Sequence, residues 1–382
     1  MAINLATKNS DRIASYFTKS SFVKGKTSEE YDFTGSKTLK IYTPVTVPEN
    51  DYVRSGMNRY GEPTEMQDIV QELVMSQDKA FTLTIDKGNN RDQMNVKGAA
   101  KMLKLQLNEQ SIPAADRYAF SQFVCHAGTV KGLDKAPTKD TIIGLIADAV
   151  AELDNNLVDE EHRYIAVTGD VFKLIKLSPE FVGVETLGKK SIGKGIVGEV
   201  QGLKVVKVPN TYLPKDCYFL IWVPAAVMFP YKISDAKYHK DPPGLSGDLL
   251  EGRHYYDAFV LGAKSAGVYA AVLGASQQAA PSVSYATDKL TVTAEGATEI
   301  RVTLDGSDPR YSDSAVIYST PIATTALGSG SHLARAVAYK DGGFIFFPSS
   351  APLPFWPAAN FGTVVWLLSW LPPDWIPRSV TP

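Results

Sequence analysis

Five histidines (His126, His162, His239, His254 and His332) and two cysteines (Cys125 and Cys217) are the side chains here best suited to metal binding or nucleophilic chemistry. A zinc site needs ligands spaced to share a helix face or a tight turn, and a catalytic thiol needs a base and oxyanion donors. No two of the histidines have such a spacing, and neither cysteine is followed by a second thiol. Cys125 and His126 are adjacent, so on a helix their side chains point in different directions, and Cys125 reads as a buried structural thiol. Gly193-Lys-Gly-Ile-Val-Gly198 has the glycines of a phosphate loop but no lysine followed by Ser or Thr, so it reads as a flexible loop. Asp86-Lys-Gly-Asn-Asn90 lacks the ligand spacing and closing glutamate of a calcium loop and reads as a turn between strand and helix. The expectation is a structural protein, not an enzyme, with no catalytic residue, no metal and no cofactor.

Composition narrows the partners. At 382 residues the chain has room for roughly two to three units. Units of that size bury enough surface to fold without disulfide or metal staples. Thirty-nine basic against 41 acidic residues, a net charge of -2, is not the balance of a protein that holds nucleic acid by phosphate neutralisation, so any nucleic acid is held by confinement. The cysteine usage fits folding in a reducing cytoplasm. Met1 to Lys8 lacks the apolar run and cleavage site of an export signal. The apolar stretch Phe361 to Leu371 is too short to span a bilayer, so no membrane partner is expected.

Residues 1–30 are polar with scattered apolar positions and read as an arm. Leu39, Ile41, Val45 and Val47 alternate, as do Phe81, Leu83 and Ile85, which predicts two half-buried strands. Between them Asp51 to Pro63 is rich in charge and turn formers, so residues 31–90 read as a long projecting two-stranded loop. Val96, Ala99, Ala100, Leu103 and Leu107 follow helical spacing, predicting a long helix over about 95–125 that Pro113 disturbs. A second helix is predicted from a Thr138 cap through Ile142, Ile146, Ala149 and Leu153. Strands are predicted at 164–168, 202–208, 217–223 and 256–261, with a helical stretch around 171–177. Helices and strands mix without regular alternation, which is an α+β pattern. Residues 274–281, small and polar and ending in Pro281, read as a flexible linker. Residues 282–341 carry short β-favouring runs at 290–293, 299–304 and 333–339 and read as a small β-sandwich. Residues 342–382 hold Trp356, Trp366, Trp370 and Trp375 among many prolines, an atypical tail that reads either as an interaction peptide or as the product of a shifted reading frame.

The order of arm, long loop, long helix and mixed domain resembles the HK97-like fold of tailed-bacteriophage major capsid proteins. Met1-Ala-Ile-Asn-Leu-Ala-Thr-Lys8, Tyr31-Asp-Phe-Thr-Gly-Ser-Lys-Thr-Leu-Lys-Ile-Tyr42, Thr84-Ile-Asp-Lys-Gly-Asn-Asn90 followed by Gln93-Met-Asn-Val96, and Gly252-Arg-His-Tyr-Tyr-Asp-Ala-Phe-Val260 look like stretches of coat proteins of phages from Gram-positive bacteria. The resemblance covers about residues 1–273, with the axial domain at about 138–250. It implies a homo-oligomeric shell of pentamers and hexamers around double-stranded DNA. It also implies assembly in a bacterial cytoplasm with a separate scaffolding protein and a portal, and a final location in the virion. The projecting loop would then lie over a neighbouring subunit, with Arg54, Arg59 and Glu62 near its tip as candidate inter-subunit contacts.

Val302-Thr-Leu-Asp-Gly-Ser-Asp-Pro-Arg-Tyr311, Ser314-Ala-Val-Ile-Tyr318 and Thr320-Pro321 resemble the immunoglobulin-like repeat at the C-termini of chitobiases and on bacterial surface proteins. That resemblance implies either display on a shell exterior, for decoration or stabilisation, or weak binding of cell-surface glycan. Two other readings stay open at this level: a nanocompartment shell of the encapsulin type, and a polysaccharide-binding surface protein.

Overall fold

The structure, a computed structural model, describes residues 21–31, 33, 37–47, 49–61, 63, 65–92, 98–178, 196–286, 289–323, 333–340, 344 and 349–352. At its centre is a mixed six-stranded sheet in the order β4 (Thr129–Leu133), β13 (Val268–Leu273), β8 (Cys217–Trp222), β5 (Tyr164–Thr168), β7 (Leu203–Val208) and β6 (Ile196–Val200). β4 runs parallel to β13, and β5 to β7; the other pairs are antiparallel. Strand periodicity sends alternate side chains to opposite faces, and here both faces are apolar. Ala166, Leu220, Trp222, Ala270 and Val272 face one core, while Ile165, Val167, Phe219, Ile221 and Ala271 face the other. The second core is closed by α4 (Ile142–Asn155), whose Ile142, Ile146, Ala149 and Leu153 recur at helical spacing, and by α5 (Gly169–Leu177). The α4 cap is Thr141 rather than Thr138; Thr138 instead accepts the Ile142 amide on its carbonyl.

The first core is closed by a long helix: α2 (Ala99–Gln106), a π turn (Leu107–Ser111) and α3 (Ile112–Cys125) in unbroken succession. Pro113 sits in the first turn of α3 and does not end the helix. The Ile112 amide bonds the Leu107 carbonyl five residues back, and this wider turn takes up the missing proline donor and ring clash. Before it come β3 (Gln77–Asp86) and α1 (Lys87–Asp92), joined where the Asp86 carboxylate accepts the Asn89 amide at 2.9 Å.

Several sequence boundaries shift. The arm expectation for 1–30 fails at 21–30: Phe22 and Val23 are buried in the first core, and the Ser28 amide bonds the Val227 carbonyl. The Trp222 indole donates to the Lys26 carbonyl at 2.9 Å, so the largest core side chain depends on this segment for its polar end. Asp116 on α3, also buried, accepts from the Ser21 hydroxyl at 2.6 Å and the Phe22 amide at 2.7 Å. Its burial raises the carboxyl pKa against the pull of those bonds and of Lys26. The reach assigned to the projecting loop, 31–90, is too long. β3 leaves it to join β11 (Gly247–Tyr256) and β10 (Tyr231–Lys240) in a separate antiparallel sheet. The predicted 256–261 strand breaks at Asp257, after which β12 (Phe259–Val260) pairs with β9 (Val227–Met228).

C-terminal to the central sheet, β14 (Ser282–Ala286), β15 (Lys289–Thr293) and β18 (Ile322–Ala323) form one sheet, and β17 (Val316–Ile317), β16 (Glu299–Thr303), β19 (Leu333–Tyr339) and β20 (Ser349–Pro352) another. Leu290, Val292, Val302, Ala334 and Ala336 fill the core they share. The 274–281 connector is not loose at its start: Gly274–Ser276 is a 3-10 turn, the Gln277 amide side chain donates to the Val130 carbonyl at 2.9 Å, and the Gln278 amide to that of Phe344 at 2.7 Å. The tail assigned to 342–382 begins inside the fold, since Phe344 is buried in the first core and β20 pairs with β19; residues 353–382 lie outside the described residues.

Asp116→Ala strands the buried Phe22 amide. It is expected to cost about 1–3 kcal/mol and to speed amide exchange at residues 22–24. Urea denaturation with exchange mass spectrometry checks this, and an unchanged midpoint would refute the role given to Asp116.

Candidate assembly interface

The projecting element is a hairpin of β1 (Thr38–Pro44) and β2 (Asp68–Val74), in antiparallel register from Thr38 opposite Val74 to Pro44 opposite Asp68. Its root has a small core: Ile41 and Leu73 are buried with Phe33, Met75, Met228 and Leu261. Beyond Pro44 that support ends. Val45, Val47, Tyr52, Val53 and Met66 are exposed, as are Tyr60, at 86 %, and Met57, at 95 %. The tip is nevertheless shaped. The Val53 amide bonds the Arg59 carbonyl at 3.0 Å, Asn58 and Gly56 take left-handed backbone, and the rings of Tyr52 and Tyr60 meet edge to face at 5.0 Å. The preformed turn thus presents two tyrosines and a methionine to water, which makes it the candidate interface.

Arg54 and Arg59 sit on this exposed tip. The Arg59 Nε donates to the Gly56 carbonyl at 3.2 Å, and among the described residues neither arginine is in an ion pair. Glu62 lies outside the described residues. The exposed apolar residues Met57, Tyr60 and Met66 were not singled out from the sequence. Their signal was present as apolar residues inside a run otherwise made of turn formers. β2 was also missed, because Ile69, Val70, Leu73 and Val74 come in pairs rather than in alternation.

At the hairpin root lies a polar cavity of about 280 Å³ whose lining includes Gln71, Ser76, Tyr118, His126, Asp257 and Arg310. The Asp257 carboxylate accepts from the Ser76 amide at 2.6 Å, its neighbour Ala258 at 2.8 Å and the Tyr118 hydroxyl at 2.7 Å. Burial, together with the hydrogen bond to the Asp257 carboxylate and its negative charge, pushes the Tyr118 phenol up to about 12. Burial holds the His126 imidazole below its ordinary 6.5, and the charges of Arg310 and Arg301 push the same way; the Gln122 carbonyl, 3.0 Å from Nδ1, and Asp257 oppose them. Burial also pushes both the Cys125 and Cys217 thiols up, the reverse of what a nucleophile needs. The other described histidines are dispersed: His162 meets Lys204, His239 lies 3.3 Å from Glu251, and His254 stacks on Phe81. His332 and residues 193–195 lie outside the described residues, while Ile196, Val197 and Gly198, read from the sequence as part of a flexible loop, belong to β6, which pairs with β7. Among the described residues no group of three His, Cys, Asp or Glu side chains is placed to hold a metal, and no helix is long and apolar enough to cross a membrane.

Because the folded state depresses the His126 pKa, neutral His126 supports stability above about pH 6.5, and that support is lost as the pH falls through the folded value. His126→Gln is expected to reduce the acid loss of stability between about pH 7.5 and about pH 5.5, read as paired denaturation midpoints. Parallel pH profiles for variant and parent would refute it.

No family model matches the chain, and no curated protein matches it. Solved structures do. A chain from Mycobacterium phage Che8 is 19 % identical with a TM-score of 0.58, over 71 % of this chain and 98 % of its own. A chain of the cyanophage P-SCSP1u capsid is 14 % identical with a TM-score of 0.55, over 70 % of this chain and 92 % of its own. One from the mature capsid of bacteriophage PhiM1 is 13 % identical with a TM-score of 0.54, over 71 % and 92 %. Sequence identity this low with coverage this complete is a likeness of fold, and over about seven-tenths of its length the chain has the HK97-like fold of tailed-phage capsid proteins.

Proposed function

We propose that the chain is the major capsid protein of a tailed bacteriophage. Copies of it form pentamers and hexamers that close, with a scaffolding protein and a portal, into an icosahedral head around double-stranded DNA. Assembly takes place in the bacterial cytoplasm, and the finished protein resides in the virion. The shared fold supports this reading, and the hairpin tip carries it. Tyr52, Met57, Tyr60 and Met66 are costly to leave in water and have no place in their own chain's core, so a neighbouring copy is the occupant that accounts for them. Arg54, Arg59 and Glu62 would flank that contact as inter-subunit ion pairs, contributing register more than affinity. A near-neutral net charge suits DNA held by confinement rather than by counter-charge. The C-terminal two-sheet module would be an immunoglobulin-like domain on the shell exterior, for stabilisation or for weak, multivalent contact with cell-surface glycan.

Electron microscopy of the protein expressed with and without its scaffold tests the proposal. Closed shells or capsomer rings with outward knobs are expected, and a monomer under every condition would overturn it in favour of the surface-binding reading. Met57→Asp and Tyr60→Ala should each abolish shells; Met57→Asp, at an exposed side chain, should change subunit stability by less than about 0.5 kcal/mol, and Tyr60→Ala, which gives up the Tyr52 ring contact, by no more than about 1.5 kcal/mol.

A further inference from the structure

The C-terminal module meets the rest of the molecule well away from its connector, through the 304–315 loop between β16 and β17. Arg310 is the centre of that contact. Its side chain is 4 % exposed, and its Nη1 donates to the carbonyls of Ala127, at 2.9 Å, and Gly128, at 3.0 Å. Asp308 holds the same guanidinium from behind through Nε and Nη2, at 2.8–3.2 Å. Next along, the Tyr311 hydroxyl donates to the His126 carbonyl at 2.7 Å, and the Tyr311 Cβ lies so close to Gly262 that a β-carbon added at Gly262 would come within 2.7 Å of it. Residues 126–128 directly follow the last turn of α3, where a helix leaves carbonyls unfilled and presents the negative end of its dipole, so a cation is the natural partner.

The loop then reaches the hairpin. The Asp313 amide donates to the Val70 carbonyl of β2 at 3.0 Å, and its carboxylate lies 3.4 Å from Nζ of Lys40 on β1. Among the described residues β2 has a strand partner on one side only, and the loop supplies an additional tie. On the return path Phe344 is buried in the first core, its amide bonded to the Ser276 carbonyl at 3.0 Å.

We infer that the C-terminal module is a clamp whose 304–315 loop locks the root of the projecting hairpin to the end of the long helix; the partner this surface fits is the hairpin of its own chain. A module that served only for display would need no contact beyond its tether. This one contributes a buried charge, a buried phenol and a backbone bond to two separate elements of the capsid-fold body. The direction in which the hairpin leaves the subunit is thereby set by residues far along the chain. The inference concerns the single subunit and stands apart from the capsid reading.

Amide exchange measured by mass spectrometry on the full-length unassembled chain tests it. Arg310→Met is expected to speed exchange in residues 38–44 and 68–74 by about tenfold or more while β16 and β19 keep their protection. Tyr311→Phe, which removes one hydroxyl, should act in the same direction at about threefold. Hairpin exchange unchanged in both variants would overturn the inference, as would faster exchange confined to the module. Should Arg310→Met fail to fold, Tyr311→Phe decides alone: faster hairpin exchange supports the clamp, and parent-like exchange overturns it.

Discussion

A sheet that is apolar on both faces cannot be left half covered, and most of this molecule follows from meeting that constraint. Phe219 and Ile221 alternate with Leu220 and Trp222 along one strand, so each face needs its own cover. α4 and α5 close one face with a regular stripe. The other is closed by α3 and by pieces drawn from distant parts of the chain: Phe22 and Val23 from the start, Tyr311 and Phe344 from the C-terminal module. Segments that look peripheral in sequence are structural because this face is too wide for a single helix.

The same constraint explains what could be read in advance. Cys217 to Trp222 and Tyr164 to Thr168 were recognisable as strands because they are short, continuous and rich in β-favouring residues, and the α4 stripe was recognisable because its period is regular. The overall order of arm, loop, helix and mixed domain was legible for the same reason. What stayed hidden depends on position in space rather than on local pattern. Phe22 and Val23 are two apolar residues in a polar stretch. β10 is an edge strand of largely polar residues, and β2 has paired rather than alternating apolar positions. Nothing local to Asp308-Pro309 indicated that Arg310 beside it would be buried against another domain. At the candidate interface the arginines were visible from their type, whereas the exposed tyrosines and methionines became meaningful only once the structure showed that no core takes them in.

The hairpin combines a buried root with an exposed, ordered tip. Its root belongs to a small core of its own chain, and its tip has backbone order without burial. Ordering the turn beforehand lowers the entropy cost of association, so apolar contact area made there converts more fully into affinity.

The π turn in the long helix has a geometric consequence of its own. Each residue of a helix advances the side-chain azimuth by about 100°, so a turn wider than the α-helical one re-indexes everything beyond it. α2, before the wide turn, approaches β11, whereas α3, after it, buries Ala119, Phe120 and Phe123 against the central sheet. One continuous rod is thus keyed to two differently oriented sheets by a phase offset at Leu107–Ser111, and shortening that turn by one residue would bring one half of the rod out of alignment with its sheet while leaving its helicity intact.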